Sequence, residues 1–333
     1  MSATTPAAAP ERPRQLGRFA AAWASQIGIT TAFGLLWLIF IVLAPRTFLG
    51  DRIYLSFAET TPYFAIIALP LTMVIVTGDM DLSFPAIMAL GMVGFVAVWH
   101  LTGSVVLGTG AALLVGALAG LFNGLLVTYL GIPSLVATIG TQFFFRGLTL
   151  VLVDGRSYAL VDTQASPAYE VLVGKLFGIP MEFVWLVLAA VATWLLLNRH
   201  RLGQNAYVVG DNRQAAALMG IPIRRTRITL FVLTGLAAAF AGLLNSLQIV
   251  NFYPTMGDGY LLPTLAAIFV GGTSVFGGRG SIWGTFIGAF MIGGIVAGIV
   301  AVGLTDYYTN LIYGAVVLIS VSIHALLRRR FEH

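Results

Sequence analysis

Cysteine is missing from all 333 residues, which excludes disulfides and thiolate metal sites and leaves the compartment open. Lysine occurs once, as Lys175, and no G-x-x-x-x-G-K-[ST] phosphate loop exists. The four histidines, His100, His200, His324 and His333, are scattered, and no His-Glu-x-x-His helix offers zinc a ligand set. Charge is scarce too, at 9% of residues, and no aspartate or glutamate falls inside the apolar runs described below. Proton-coupled carriers bury such a group, so the shortage weighs against proton-driven transport. Sodium coupling through backbone carbonyls passes the same test. The chain is expected to be no enzyme and to bind no cofactor or metal of its own.

What is present is hydrocarbon. Hydrophobic residues make up 58% of the chain and the mean hydropathy is +0.92, the composition of a polytopic membrane protein. Crossing a bilayer core of about 30 Å takes roughly 20 helical residues, and only helices or closed barrels satisfy their backbone in lipid. The apolar runs are continuous rather than alternating, which selects an all-α fold. Ten candidate spans cover 25–45, 62–78, 82–102, 104–128, 132–153, 183–198, 229–250, 261–276, 282–303 and 307–327. The second and eighth are short and contain Pro70 and Pro263, so broken or tilted helices are expected there. Residues 1–18 are Ala/Pro/Thr-rich and then basic, and read as a disordered tail ahead of one membrane domain over 19–333. The first apolar run is too long for a signal-peptide core and is retained as a span.

A net charge of +5 and a pI near 9.7 raise the question of nucleic acid, but the placement of the charges points to topology instead. With ten spans both ends share one side. That side collects Arg12, Arg14, Arg18, the 199–228 loop with Arg199, Arg201, Arg213, Arg224, Arg225 and Arg227, then Arg279 and Arg328 to Arg330. The other side has Arg46, Arg52, Arg156 and Lys175, and Arg146 lies within a span. The positive-inside rule therefore puts both termini in the cytoplasm, makes 199–228 a cytoplasmic loop and 154–182 an external one. An internal echo is visible: GDMDLSFPAIMALGMVG (78–94) aligns without gaps on GGRGSIWGTFIGAFMIG (277–293). Transporters are often built from such duplicated units, although Gly-rich spans also resemble one another by chance.

The least lipid-like stretch is VVGDNRQAAALMGIPIRRTRI, 208–228. Asp211-Asn212 offers an Asx N-cap, RQAAALM favours helix, Gly220 fits a left-handed stop and Pro222 blocks continuation. About two turns of helix cannot stand alone in water. Either the segment lies on the protein's own face with its arginines on anionic lipid headgroups, or it is a peg for a partner protein.

Four motifs give the chain a specific resemblance. GDNRQAAALMGI (210–221) matches a G-x-N-x-x-A-A-x-x-x-G-I pattern, and TGDMDLS (77–83) is similar to T-G-G-I-D-L-S. GLFNGLLVTYLGIPSLVATIGTQFFFRGLTL (120–150) and LAAIFVGGTSVFGGRGSIWGTFIGA (265–289) supply the third and fourth, in order. Together they resemble the permeases of sugar-type ATP-binding-cassette importers, the ribose-type group above all. That resemblance implies a coupling helix, here Asp211, Asn212, Arg213, Ala215, Ala216, Ala217, Met219, Gly220 and Ile221, seated in an ATPase subunit. It also implies ATP and Mg held by that partner, whose two nucleotide domains are often fused. An external solute-binding protein and a second permease copy or homologous permease complete the assembly. Related permeases for amino acids, nucleosides or signalling molecules fit the same motifs. An ion-coupled secondary transporter is the alternative class.

Where the family pattern has Gly-Ile, this chain has Asp79-Met80, which places two carboxylates, Asp79 and Asp81, at the expected cytoplasmic turn. Asp81 and Ser83 could cap the following helix, or serve gating or partner contact. Within spans, Arg146 must snorkel, pair or line a wet path. Asn123, Gln142, Asn245 and Gln248 are candidates for interhelical hydrogen bonds or for the translocation pathway, as is Phe143 for an aromatic wall. Glycines of spans four and nine, and GGTSVFGGRG (271–280), are expected to serve close helix packing and a tight turn rather than a phosphate cradle.

Overall fold

The computed structural model describes residues 15–301 and 307–331, with side chains over 26–299 and 308–322. The chain opens with α1 (Gln15–Leu43), α2 (Pro45–Phe48), α3 (Asp51–Thr60), α4 (Pro62–Val76) and α5 (Phe84–Thr102). Then come α6 (Val105–Tyr129), α7 (Ser134–Leu152), α8 (Pro167–Val173), α9 (Met181–Asn198), α10 (Arg201–Asp211) and α11 (Arg213–Leu218). The last are α12 (Ile223–Gln248), α13 (Leu261–Val270), α14 (Ile282–Ala301) and α15 (Tyr307–Phe331). Every expected apolar run lands on a helix, and the fold is an all-α membrane protein. Among the described residues seven helices are long and apolar enough to cross a bilayer, or eight if the bent pair α3–α4 is one span. Of the tail expected over 1–18, residues 1–14 lie outside the described residues, and α1 already begins at Gln15.

The short second run is one unbroken helix with Pro70 inside it, and the eighth is helical only as far as Val270. The chain bends by 52° between α3 and α4, at Thr61, and Pro62 starts the new helix where its missing N–H costs nothing. Pro70 stays inside α4, all fifteen of whose residues are buried. α13 has only ten residues, about 15 Å of helix, half a bilayer core. Two short helices at the centre are tolerated because protein, not lipid, surrounds their ends.

The surrounding packing is made by glycine. On α6, Gly116, Gly120 and Gly124 lie against α12 so closely that a Cβ on Gly116 would meet Gly235 O at 2.5 Å and one on Gly120 would meet Phe231 O at 2.3 Å. On α14, Gly284 and Gly288 approach the carbonyls of Gly271 and Ala267 in the same way. Small residues replace the hydrophobic effect, which cannot hold helices together in a solvent as apolar as they are.

The internal echo falls on equivalent places. α4, a break and α5 correspond to α13, a break and α14, and the breaks touch: a Cβ on Gly277 would sit 3.0 Å from Gly78 Cα. At the other end of the short helices, Tyr63 and Tyr260 lie with ring centroids 6.5 Å apart. The 154–182 segment carries β1 (Tyr158–Ala159), antiparallel to β4 (Asn251–Phe252), and the hairpin of β2 (Lys175–Leu176) with β3 (Ile179–Pro180).

Glu182, the last residue of the expected 154–182 loop, lies in the first turn of α9, where it is 1% exposed. Hydropathy locates the end of an apolar run, whereas burial depends on the neighbouring chain.

The glycine contacts give a stability test. Gly120→Ala should cost about 1–3 kcal/mol, the range for overpacking. Gly140→Ala, with open space where its Cβ would go, should be neutral or stabilising. Equal melting temperatures for the two variants in detergent would refute the close-packing role.

Candidate functional site

Between α4 and α5 the chain is unwound. Gly78, at φ +78°, ends α4 in the left-handed conformation, and residues 79–83 belong to no helix or strand. Met80 N donates to Ser134 Oγ at 3.0 Å, and Ala86 N donates to Gln142 Oε1 at 3.1 Å. Ser134 and Gln142 are eight residues apart on α7, so the segment climbs about 12 Å beside it. The turn carrying both carboxylates is buried in protein: Asp79 is 3% exposed, Asp81 and Ser83 0%.

Most polar groups in this stretch are met by a neighbour, while Asp81 Oδ2, Asn123 Oδ1 and Arg146 Nε are buried without a hydrogen-bond partner in this chain. Ser83 donates through both N and Oγ to Asp81 Oδ1, at 2.9 and 2.6 Å, so Asp81 serves the N-cap residue while the Ser83 side chain makes no cap bond. Asn123 Nδ2 donates to Ser83 Oγ at 2.7 Å. Arg146 donates to the carbonyls of Pro85, Pro254 and Met256 and pairs with Asp258. Asn123, Gln142 and Arg146, from two helices, thus converge on residues 83–86. Arg146 ties that same turn to the 251–258 loop leading into α13.

Asp79 is the charged centre. Arg227, in the first turns of α12, grips it with two bonds: Nε to Oδ2 at 2.5 Å and Nη2 to Oδ1 at 2.7 Å. Arg213 Nη2 donates to Oδ1 at 3.0 Å and to Thr77 O at 3.2 Å. One buried carboxylate lies between two guanidiniums, the geometry in which arginine's planar fork binds most strongly. A cleft of about 440 Å³ opens beside it, lined among others by Thr128, Gly131, Ser134, Arg213 and Arg227.

Arg213 is also the first residue of α11. Asn212 is its N-cap, Oδ1 accepting from Ala215 N at 3.0 Å, and Asp211 closes α10. Gly220, at φ +73°, stops the helix, and Ile221 N returns to Ala216 O at 3.0 Å. Ala216 is fully buried and faces the membrane domain, while Ala215, Ala217 and Met219 are exposed. The tip is Leu218, 91% exposed, beside Met219 at 69%. Behind it the backbone is pressed onto both breaks: a Cβ on Gly210 would lie 1.8 Å from Val76 O and 2.7 Å from Gly278 N.

The remaining pathway candidates do not join this cluster. Asn245 Nδ2 donates to the Tyr260 hydroxyl at 2.8 Å, with Gln248 half-buried one turn on. Phe143 is 74% exposed on the outer face of α7.

Comparison with known proteins fits this architecture. The family described as branched-chain amino acid transport system / permease component matches residues 53–321. The chain belongs to that family. Similar relatives include the ribose import permease protein RbsC of Bacillus subtilis (strain 168), 36% identical over 296 residues, 86% of this chain and 89% of the relative. RbsC of Escherichia coli (strain K12) is 30% identical over 307 residues, 92% and 95% of the two chains. The autoinducer 2 import system permease protein LsrD of Salmonella typhi is 32% identical over 267 residues, 78% and 80%. The chain is accordingly a multi-pass inner-membrane permease subunit of an ATP-binding-cassette importer. Nothing favours the ion-coupled alternative.

Two residues of the permease site escaped the sequence reading. Arg227 counted only as a topology signal, and Leu218 was overlooked beside the alanines. The signal for Arg227 was there: an aspartate introduced into an apolar turn calls for a positive partner. Arg146 generates the test. Arg146→Gln should lower the melting temperature by several degrees and speed amide exchange across 254–258, since charge-assisted bonds of about 1.5–3 kcal/mol are lost. Unchanged exchange there would remove its role as a latch.

Proposed function

We propose that this permease passes a sugar or sugar-like solute through the membrane, driven by an ATPase subunit that grips residues 210–221. The observation that carries the reading is the short capped helix α11, which offers Leu218 and Met219 to the outside while Ala216 is fixed inward. Apolar side chains of that size exposed on a two-turn helix suit a docked partner. The solute class follows the ribose and autoinducer 2 permeases among the relatives.

In this reading both termini and the 199–228 loop are cytoplasmic, and the chain crosses the membrane ten times. ATP and Mg belong to the partner, and an external binding protein delivers the solute. Asp211, Asn212, Arg213, Ala215, Ala216, Ala217, Met219, Gly220 and Ile221 form the coupling element, with Leu218 added as its tip. Asn245 and Gln248, beside Tyr260, contact the solute. Asn123, Gln142 and Arg146 hold the wall of the pathway by fixing residues 83–86. The exposed face of α7, with Phe143 between the open glycines Gly140 and Gly147, meets the second permease copy, small residues allowing close approach.

The tip is the place to test it. Leu218→Asp should abolish co-purification of the ATPase and reduce uptake at least tenfold, the cost of placing a charge in an apolar contact. Ala216 is a poor target because its burial would confound docking with folding. Retention of the ATPase by Leu218→Asp, or uptake in vesicles driven by an ion gradient without ATP, would overturn the reading.

A further inference from the structure

We infer that Asp79 is a positioning residue that makes the coupling loop and the unwound segment 77–83 move as one body. The inference rests on the coupling role proposed for α11 and adds to it the mechanical link.

The geometry is a clasp with three contributors. Asp79 belongs to the unwound segment, Arg213 to the coupling helix and Arg227 to the foot of α12. All three meet at distances of 2.5 to 3.0 Å on one carboxylate that is 3% exposed. Arg227 is itself 11% exposed, so pulling the pair apart would strand opposite charges away from water. A contact that costly to open stays shut while its parts are moved. The backbone reinforces it: a Cβ on Gly210 would lie 1.8 Å from Val76 O, and one on Gly277 3.0 Å from Gly78 Cα. Tyr207 of α10 donates to Gly280 O at 2.8 Å, fastening the same loop to the second break.

From Asp79 the connection continues without a gap. Met80 is bonded through its N to Ser134 and Ser83 to Asn123, and Pro85 O is held by Arg146, which also holds the loop into α13. A displacement of α11 therefore reaches the N-termini of α5 and α13 through bonded groups. The clasp is also an addition peculiar to this chain relative to the pattern it resembles, in which glycine occupies the position of Asp79. Arg213 falls on an unrestricted position of the coupling-helix pattern.

The absence of native cysteine allows a test that needs no knowledge of the solute. Leu82→Cys places a single thiol on the unwound segment, at a partly exposed position. In the complex purified with its ATPase, ATP and vanadate should change the rate at which a maleimide labels this thiol. Adding Asp79→Asn should reduce that change by roughly fivefold or more, a typical coupling factor, while the ATPase still co-purifies. A purely structural carboxylate would lower stability and leave the nucleotide response intact. If Asp79→Asn alone fails to fold, Asp79→Asn with Arg227→Gln removes the buried charges together, and the same loss of response is expected. A full nucleotide response in either folded variant overturns the clasp. Failure of Leu218→Asp to release the ATPase would instead sink the coupling reading, which separates the two.

Discussion

Backbone polar groups have no water to turn to inside a bilayer, and that constraint shapes everything at the centre of this permease. α13 stops halfway, and the chain runs unwound for several residues at 79–83. Such a stretch survives only if protein wraps it. The wrapping uses serine, asparagine, glutamine and arginine side chains from α6, α7 and α12. It also needs glycine wherever two backbones must meet, as at Gly210 against Val76 O.

The same wrapping makes the site mechanical. A helix broken at its centre has a hinge where an intact helix has none, and the hinge is bonded on one side to the arginine-rich loop and on the other to the loop before α13. Polar residues that look like solute contacts in the sequence are largely occupied in holding that hinge. Arg146 is the clearest case, since four acceptors from two parts of the chain surround its guanidinium. The cost of placing a cation within a span is met by neighbours rather than by snorkelling.

Charge plays two distinct parts. Most arginines count in the sequence as signals of topology, and Arg224 covers the face of Tyr129 at 5.1 Å. Arg213 and Arg227 are different because an acid faces them. Buried pairs of this kind add little net stability compared with apolar residues of the same shape, but they fix register well. That balance suits a joint, where position matters more than strength.

Much of this was legible in the chain. Continuous apolar runs gave the helices, because lipid tolerates little else. The cap, stop and proline around α11 were readable because they act between near neighbours, and the short eighth run announced the ten-residue α13 by its length. What could not be read was anything that depends on residues distant in sequence meeting in space. Asp79 and Arg227 are 148 positions apart, and only packing brings them together. The bend falls at Thr61 rather than Pro70, and Glu182 is buried at the start of α9, because neighbouring helices rather than local composition decide which segments lipid and water can reach.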